Sequence, residues 1–282
     1  MGDILTAITQ VGLLAFVVSG MAAMGLGLTT SQILAPLRDG TMVVLLLVAN
    51  FVVVPGVAVA AARLLPMDEG AGTAVILIGC VAGAPFLPKL AQLSKGDPAL
   101  AVGAMVLLMV LTVGYAPIVI PLAIEGATVS AWDIASSLIL YMLIPLALGL
   151  MVRARYPSLA DSWVGPAGQI SSMGLVIGIT AALLVTWRDI LDSIGSWVFV
   201  GTGIVLLTGL AAGYVAGIKR SAADRTVLAL ATAQRNIAAA LVVASSLGGQ
   251  VIVLTLVGAL VIPVVLIVLA GEVGKRVRPS PV

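Results

Sequence analysis

Nine apolar runs follow one another along this chain, at roughly 4–28, 42–62, 71–94, 99–124, 132–152, 164–187, 193–218, 226–247 and 250–271. A helix needs ~20 such residues to cross a hydrocarbon core of ~30 Å, so each run is long enough to be a span. The connecting segments are short and leave no room for a soluble domain. None of the runs shows the alternation, in segments of about ten residues, that marks a membrane β-barrel. Of the 282 residues, 61% are hydrophobic and 9% charged, against about half and about a quarter in soluble domains. Lipid must therefore solvate much of the surface. The prediction is an all-α polytopic membrane protein with nine transmembrane helices.

The residue inventory excludes several chemistries. Without histidine there is no Ser-His triad, no HExxH zinc site and no imidazole proton relay. The single cysteine, Cys80, excludes an intrachain disulfide and a thiolate cluster. A net charge of +2 gives no reason to expect nucleic acid, and no cofactor is expected. The lipid bilayer is the expected partner.

Orientation follows from the basic residues. With the loops numbered alternately, one side collects Arg38, Lys95, Arg153, Arg155, Lys219, Arg220, Arg225, Lys275, Arg276 and Arg278, and the other only Arg63 and Arg188. The bias places the C-terminus in the cytoplasm and, with nine spans, the N-terminus outside a cell membrane. The opening Met1-Gly2-Asp3-Ile4-Leu5-Thr6 matches a myristoylation pattern, but on this topology it faces away from the cytoplasm. With no basic region before it, and with too long an apolar stretch for a cleaved signal, it is taken as the start of the first span.

All twelve carboxylates lie in loops or at span ends, whereas two basic residues, Lys89 and Arg235, lie within spans. Intramembrane charge costs ~2.5–3.5 kcal/mol on insertion scales, which makes such residues functional candidates. Arg235 is ten residues past Arg225, ~15 Å along a helix, and sits in a polar knot, Thr232-Ala-Gln234-Arg-Asn236. The simpler alternative is an arginine held by backbone carbonyls to join two helices. Lys89 is six residues before Lys95 and could snorkel to the cytoplasmic edge. It follows Gly83, Pro85 and Pro88, however, and prolines remove helix hydrogen bonds. A break there frees backbone groups that need polar partners or a cavity.

The two unusual spans hold matching places, third of four and eighth of nine. Paired broken helices of this kind point to a transporter site at a repeat interface. The spans that follow, with Val113-Gly114-Tyr-Ala-Pro117 and Val257-Gly258-Ala-Leu-Val-Ile-Pro263, add a second similar pair. The reading is an inverted repeat, residues 1–124 with four helices and 125–282 with five. Asn50, a lone amide near mid-span, suits either a helix contact or a site lining. Gln169, Ser171 and Ser172 suit packing, Gly25 and Gly27 a close helix contact, and Cys80 a buried apolar role.

The stretch from Gly79 through Lys89 to Lys95-Gly96-Asp97-Pro98 resembles the fourth-helix motif of the bile acid:sodium symporter family, in which a Gly-rich break precedes a helix ending in Lys-Gly-Asp. Thr232-Ala-Gln234-Arg-Asn236 is similar to that family's other crossing helix, and Asn50-Phe51 with Pro55 to its Gln-Phe…Met-Pro segment. The resemblance spans nearly the whole chain if the first of ten helices is missing, as in nine-helix members. It implies core and panel domains, two helices crossing at mid-membrane, and an organic anion taken up with sodium. Carried across residue by residue, the sodium ligands fall on Leu87 and Pro88, on Ala101 and Met105, and on Leu230. Only Gln234 and Asn50 remain.

The expectation is therefore a secondary transporter of a small organic anion in which Lys89 and Arg235 stand in for the ions and compensate helix-end dipoles. The substrate and ion site would comprise Lys89, Arg235, Gln234, Asn236, Asn50 and Thr232. One alternative is a conventional sodium-dependent symporter. A receptor is another, and so is an intramembrane enzyme built on Lys89 with Ser94 or Ser31.

Overall fold

The computed structural model describes residues 2–125, 127 and 130–276. In chain order its α-helices are α1 (Gly2–Gly27), α2 (Thr30–Leu34), α3 (Gly40–Val48), α4 (Val54–Leu64), α5 (Glu69–Cys80), α6 (Leu87–Leu93), α7 (Pro98–Ala123), α8 (Ala131–Leu138), α9 (Ile144–Arg155), α10 (Pro157–Asp192), α11 (Val198–Ala216), α12 (Ala222–Ala233), α13 (Ile237–Ala244) and α14 (Gly249–Arg276). π-helical segments, Ala49–Val53 and Ile139–Leu143, join α3 to α4 and α8 to α9. The described residues contain no strand. Arg278 lies outside them.

Among the described residues, eight helices are long and apolar enough to cross a membrane, with the pieces on either side of a π segment or of the α12–α13 break counted together. The sequence offers nine runs; the difference is the third. Around Gly83, Pro85 and Pro88 the chain leaves the helix from Val81 to Phe86, splitting that run into α5 of 12 residues and α6 of 7. Neither piece approaches the ~20 residues a span requires. The eighth run is also interrupted, at Gln234–Asn236 between α12 and α13.

Several of the carboxylates that the sequence keeps at span ends are helix N-caps. Asp39, Asp68 and Asp97 accept from the backbone N–H groups of Met42, Ala71 and Ala99 at 3.1, 2.7 and 2.8 Å, satisfying donors that no helix carbonyl can reach. All four tryptophans, Trp132, Trp163, Trp187 and Trp197, are exposed at or near helix ends, where amphipathic rings favour the headgroup layer.

The chain forms two compact units. One comprises Met1–Ala35 and Ala135–Asp192. In it α1 packs along α10 and α9, and small residues allow the close approach. A Cβ on Gly174 would lie 2.7 Å from the Gly12 carbonyl oxygen, and one on Gly25 would strike the Leu146 carbonyl. Gly27 has room and is not needed for contact. The Ser171 hydroxyl donates to the Phe16 carbonyl at 2.9 Å, joining α10 to α1, while Ser172 bonds its own helix at Gly168. Gln169 is exposed.

The second unit comprises Pro36–Ile134 and Ser193–Val282. Its centre is α5, buried from Ala74 through Cys80, with α4, α11 and α14 around it. Helix α12 is buried from Val227 to Ala233 and lies against glycines of α11. A Cβ on Gly209 would come within 2.6 Å of Ala233 Cα. Both interrupted helices belong to this unit.

Candidate functional site

The interrupted helices meet at their breaks. In the first, Gly83 has a φ of +77°, and a Cβ there would strike the backbone nitrogen of Met109 on α7, so dihedral and space both require glycine. Pro88 falls in the first turn of α6, where its missing N–H costs nothing. In the second, Asn236 starts α13, its side-chain oxygen accepting from Ala239 N–H at 3.2 Å. Its backbone N–H donates to the Val81 carbonyl at 3.4 Å and its Nδ2 to the Gly83 carbonyl at 3.2 Å. One amide thus opens a half-helix and ties the two breaks together.

Arg235 is 1% exposed. Its Nε donates to the Ile78 carbonyl at 3.2 Å and its Nη2 to the Gly79 carbonyl at 2.6 Å. Nη1 donates to the Thr232 carbonyl at 3.1 Å and to Asn50 Oδ1 at 2.9 Å. Ile78 and Gly79 belong to the last turn of α5 and Thr232 to the last turn of α12. Carbonyls there lack intrahelical partners and form the negative end of each helix dipole. One guanidinium therefore caps two half-helices. Its planar fork of donors suits this, where the point charge of a lysine would not. None of its four acceptors is a carboxylate, and no cluster of three or more Cys, Asp or Glu able to hold a metal ion occurs among the described residues.

Asn50 is oriented from behind. Its Nδ2 donates to the Leu46 carbonyl at 3.0 Å and to Thr232 Oγ1 at 3.1 Å, which leaves Oδ1 for Arg235. It lies in the π-helical turn Ala49–Val53, five residues before Pro55. Proline has no N–H to offer a carbonyl of this turn.

The structure thus brings Arg235, Asn50 and Thr232 into one network and sets Asn236 beside it. Gln234 is 3% exposed, its Nε2 donating to the Arg235 carbonyl at 3.4 Å, and its Oε1 is buried with no hydrogen-bond partner among the described residues. Lys89 stands beyond the first break, on α6, and is partly exposed; its surroundings differ from the enclosed ones of Arg235. Ser94 is buried, with its hydroxyl donating to the Ala91 carbonyl at 3.2 Å. The positions onto which the sodium ligands carry, Leu87, Pro88, Ala101, Met105 and Leu230, are all buried apolar side chains.

Two participants escaped the sequence reading. Thr112 Oγ1 accepts from Ala82 N–H at 3.2 Å and lies 3.1 Å from the Ala82 carbonyl and 2.8 Å from that of Leu108. Tyr115 Oη donates to the Phe51 carbonyl at 2.8 Å. Their signal was present: they are the only hydroxyl-bearing residues in the run 99–124.

A model of the sodium bile acid symporter family matches residues 13–194, well over half of the chain. The chain belongs to the sodium bile acid symporter family. It is also similar to a Bacillus subtilis (strain 168) protein described as an uncharacterized sodium-dependent transporter, YocS, at 28% identity over 197 residues. That match covers 67% of this chain and 60% of the relative, so it spans less than two thirds of the relative's length. Membership and the apolar helices together make the chain a multi-pass membrane protein of a transporter family.

Proposed function

We propose that the chain is a secondary transporter of a small organic anion in which cations borne by the protein stand where the family holds sodium. Arg235 occupies the crossing, and Lys89 adds positive charge on the half-helix beyond the first break. The observation that carries this reading is the fourfold donation of Arg235 to the ends of α5 and α12 and to Asn50. An alkali cation at that point would need the same oxygens, and the guanidinium already engages them. Burial of hydrocarbon at Leu87, Pro88, Ala101, Met105 and Leu230 supports the same conclusion. Sodium favours hard oxygen ligands and gains nothing from these side chains.

Nine membrane crossings in an inverted repeat, with the third run crossing as two half-helices, accord with the paired breaks. Each compact unit joins two segments that are far apart in the chain, which supports a core-and-panel arrangement. The basic-residue asymmetry supports an outside N-terminus and a cytoplasmic C-terminus.

The experiment is uptake into proteoliposomes, using an anion chosen by a thermal-shift screen of small carboxylates, with sodium replaced by choline. Uptake rates unchanged within about twofold support tethered cations. A collapse of uptake would establish ordinary sodium symport, the reading favoured by the description of the Bacillus subtilis relative as sodium-dependent.

A further inference from the structure

We propose that Thr112 and Tyr115 are positioning residues of the crossing. From one face of α7 they hold the carbonyl end of α5 and the Asn50 turn at the spacing that lets a single guanidinium reach both. The two residues are three apart, hence neighbours on the helix surface. Each binds backbone at an irregular point of its own segment, Ala82 in the break and Phe51 in the π-helical turn. Ala82, in the first break, has neither its N–H nor its carbonyl in a helix ladder; Thr112 Oγ1 accepts from the N–H, and its one proton is shared between the Ala82 and Leu108 carbonyls. The Phe51 carbonyl, in the π-helical turn just before Pro55, receives the Tyr115 hydroxyl. Within a bilayer no water can replace these bonds.

The placement of the two anchor points gives them their role. Ala82 is three residues beyond Gly79, and Phe51 adjoins Asn50. Gly79 and Asn50 supply two of the four acceptors of Arg235, at 2.6 and 2.9 Å. Two walls of the acceptor ring, from segments far apart in the chain, are thus fastened to one helix. Met109 lies opposite Gly83 one turn earlier, and the rings of Phe51 and Tyr115 pack at 4.8 Å between centroids, so both attachments are backed by contact. The hydrogen bonds of both hydroxyls go to backbone groups, through which they act on Arg235.

Cys80 provides the test. It is the only cysteine, the last residue of α5, and fully buried beside Gly79. Its alkylation by N-ethylmaleimide in the purified full-length protein reads opening of the break, in parallel with thermal unfolding. Tyr115→Phe, which keeps the ring, and Thr112→Val, which keeps the shape, are expected to raise the alkylation rate about fivefold each, as loss of one net hydrogen bond implies. Thr112→Ser restores the parent rate. Leu108→Ala, a cavity on the same helix, lowers the unfolding temperature without raising the rate. Parent-like rates in folded Tyr115→Phe and Thr112→Val overturn the proposal, and so does an equal rise in Leu108→Ala. Should Thr112→Val fail to fold, Tyr115→Phe, which removes one oxygen atom, decides alone. The measurement involves no transported ion, so its failure and that of sodium-independent transport are separately recognisable.

Discussion

Arg235 Nη1 donates to Asn50 Oδ1 at 2.9 Å, joining residues 185 positions apart in the chain. The same amide group donates from its nitrogen to Thr232 Oγ1 and to the Leu46 carbonyl, so its orientation leaves the oxygen only one role. The positive charge where the two breaks meet is therefore stabilised by amide and carbonyl dipoles, and the network keeps its net positive charge. A second cation placed beside it would meet repulsion.

Arg235→Ala leaves three carbonyls and an amide oxygen without their donor in a buried site. We expect a loss of about 3 kcal/mol or more, seen as a large drop in unfolding temperature in detergent or as failed expression. Lys89→Ala, at a partly exposed position, should cost under about 1 kcal/mol while reducing anion uptake. Equal destabilisation by both changes would contradict the division of roles.

Asn50→Leu removes an acceptor from a buried charged donor and is expected to cost about 2 kcal/mol. Asn50→Asp keeps the acceptor but turns an oxygen toward the Leu46 carbonyl, and should fall between Leu and the parent. Comparative thermal unfolding of the three proteins checks the order.

Gly83→Ala should destabilise by about 2 kcal/mol or more, because the left-handed φ and the Met109 backbone both oppose a Cβ. Gly56→Ala, where nothing lies within 4 Å of the added atom, should be neutral or slightly stabilising. Similar unfolding temperatures for the two variants would refute the tight approach of the break to α7.

In the other unit, Gly174→Leu intrudes on Gly12 and Phe16 of α1 and is expected to cost about 3 kcal/mol by overpacking. Gly168→Leu, on the same helix with open space around it, should stay within about 0.5 kcal/mol of the parent. Thermal unfolding of both variants measures the contrast.

Much of this organisation was legible in the linear chain because a bilayer imposes strict local rules. Apolar run length marks spans, proline marks breaks, and a charge amid apolar residues marks a special site. Lys89, Arg235 and the interruption after Gly79 all stood out on those grounds. Asn50 and Thr232 were already among the candidates, but the Ile78 and Gly79 carbonyls that also receive Arg235 were not, since every residue carries a carbonyl. Thr112 and Tyr115 passed unnoticed for a related reason: a lone hydroxyl in a span usually bonds its own helix, and only the fold shows that these reach Ala82 and Phe51.

The amino-acid sequence by itself determined that this is a helical membrane protein, where its helices break, and that its intramembrane charge is positive with no acid to answer it. Those outcomes follow from solvation, which acts residue by residue. The tertiary structure alone decided that the charge is answered by the ends of two half-helices and by Asn50, and that α7 fastens the pieces. Such pairing depends on which backbone groups the breaks leave bare and which donors the packing brings within ~3 Å of them.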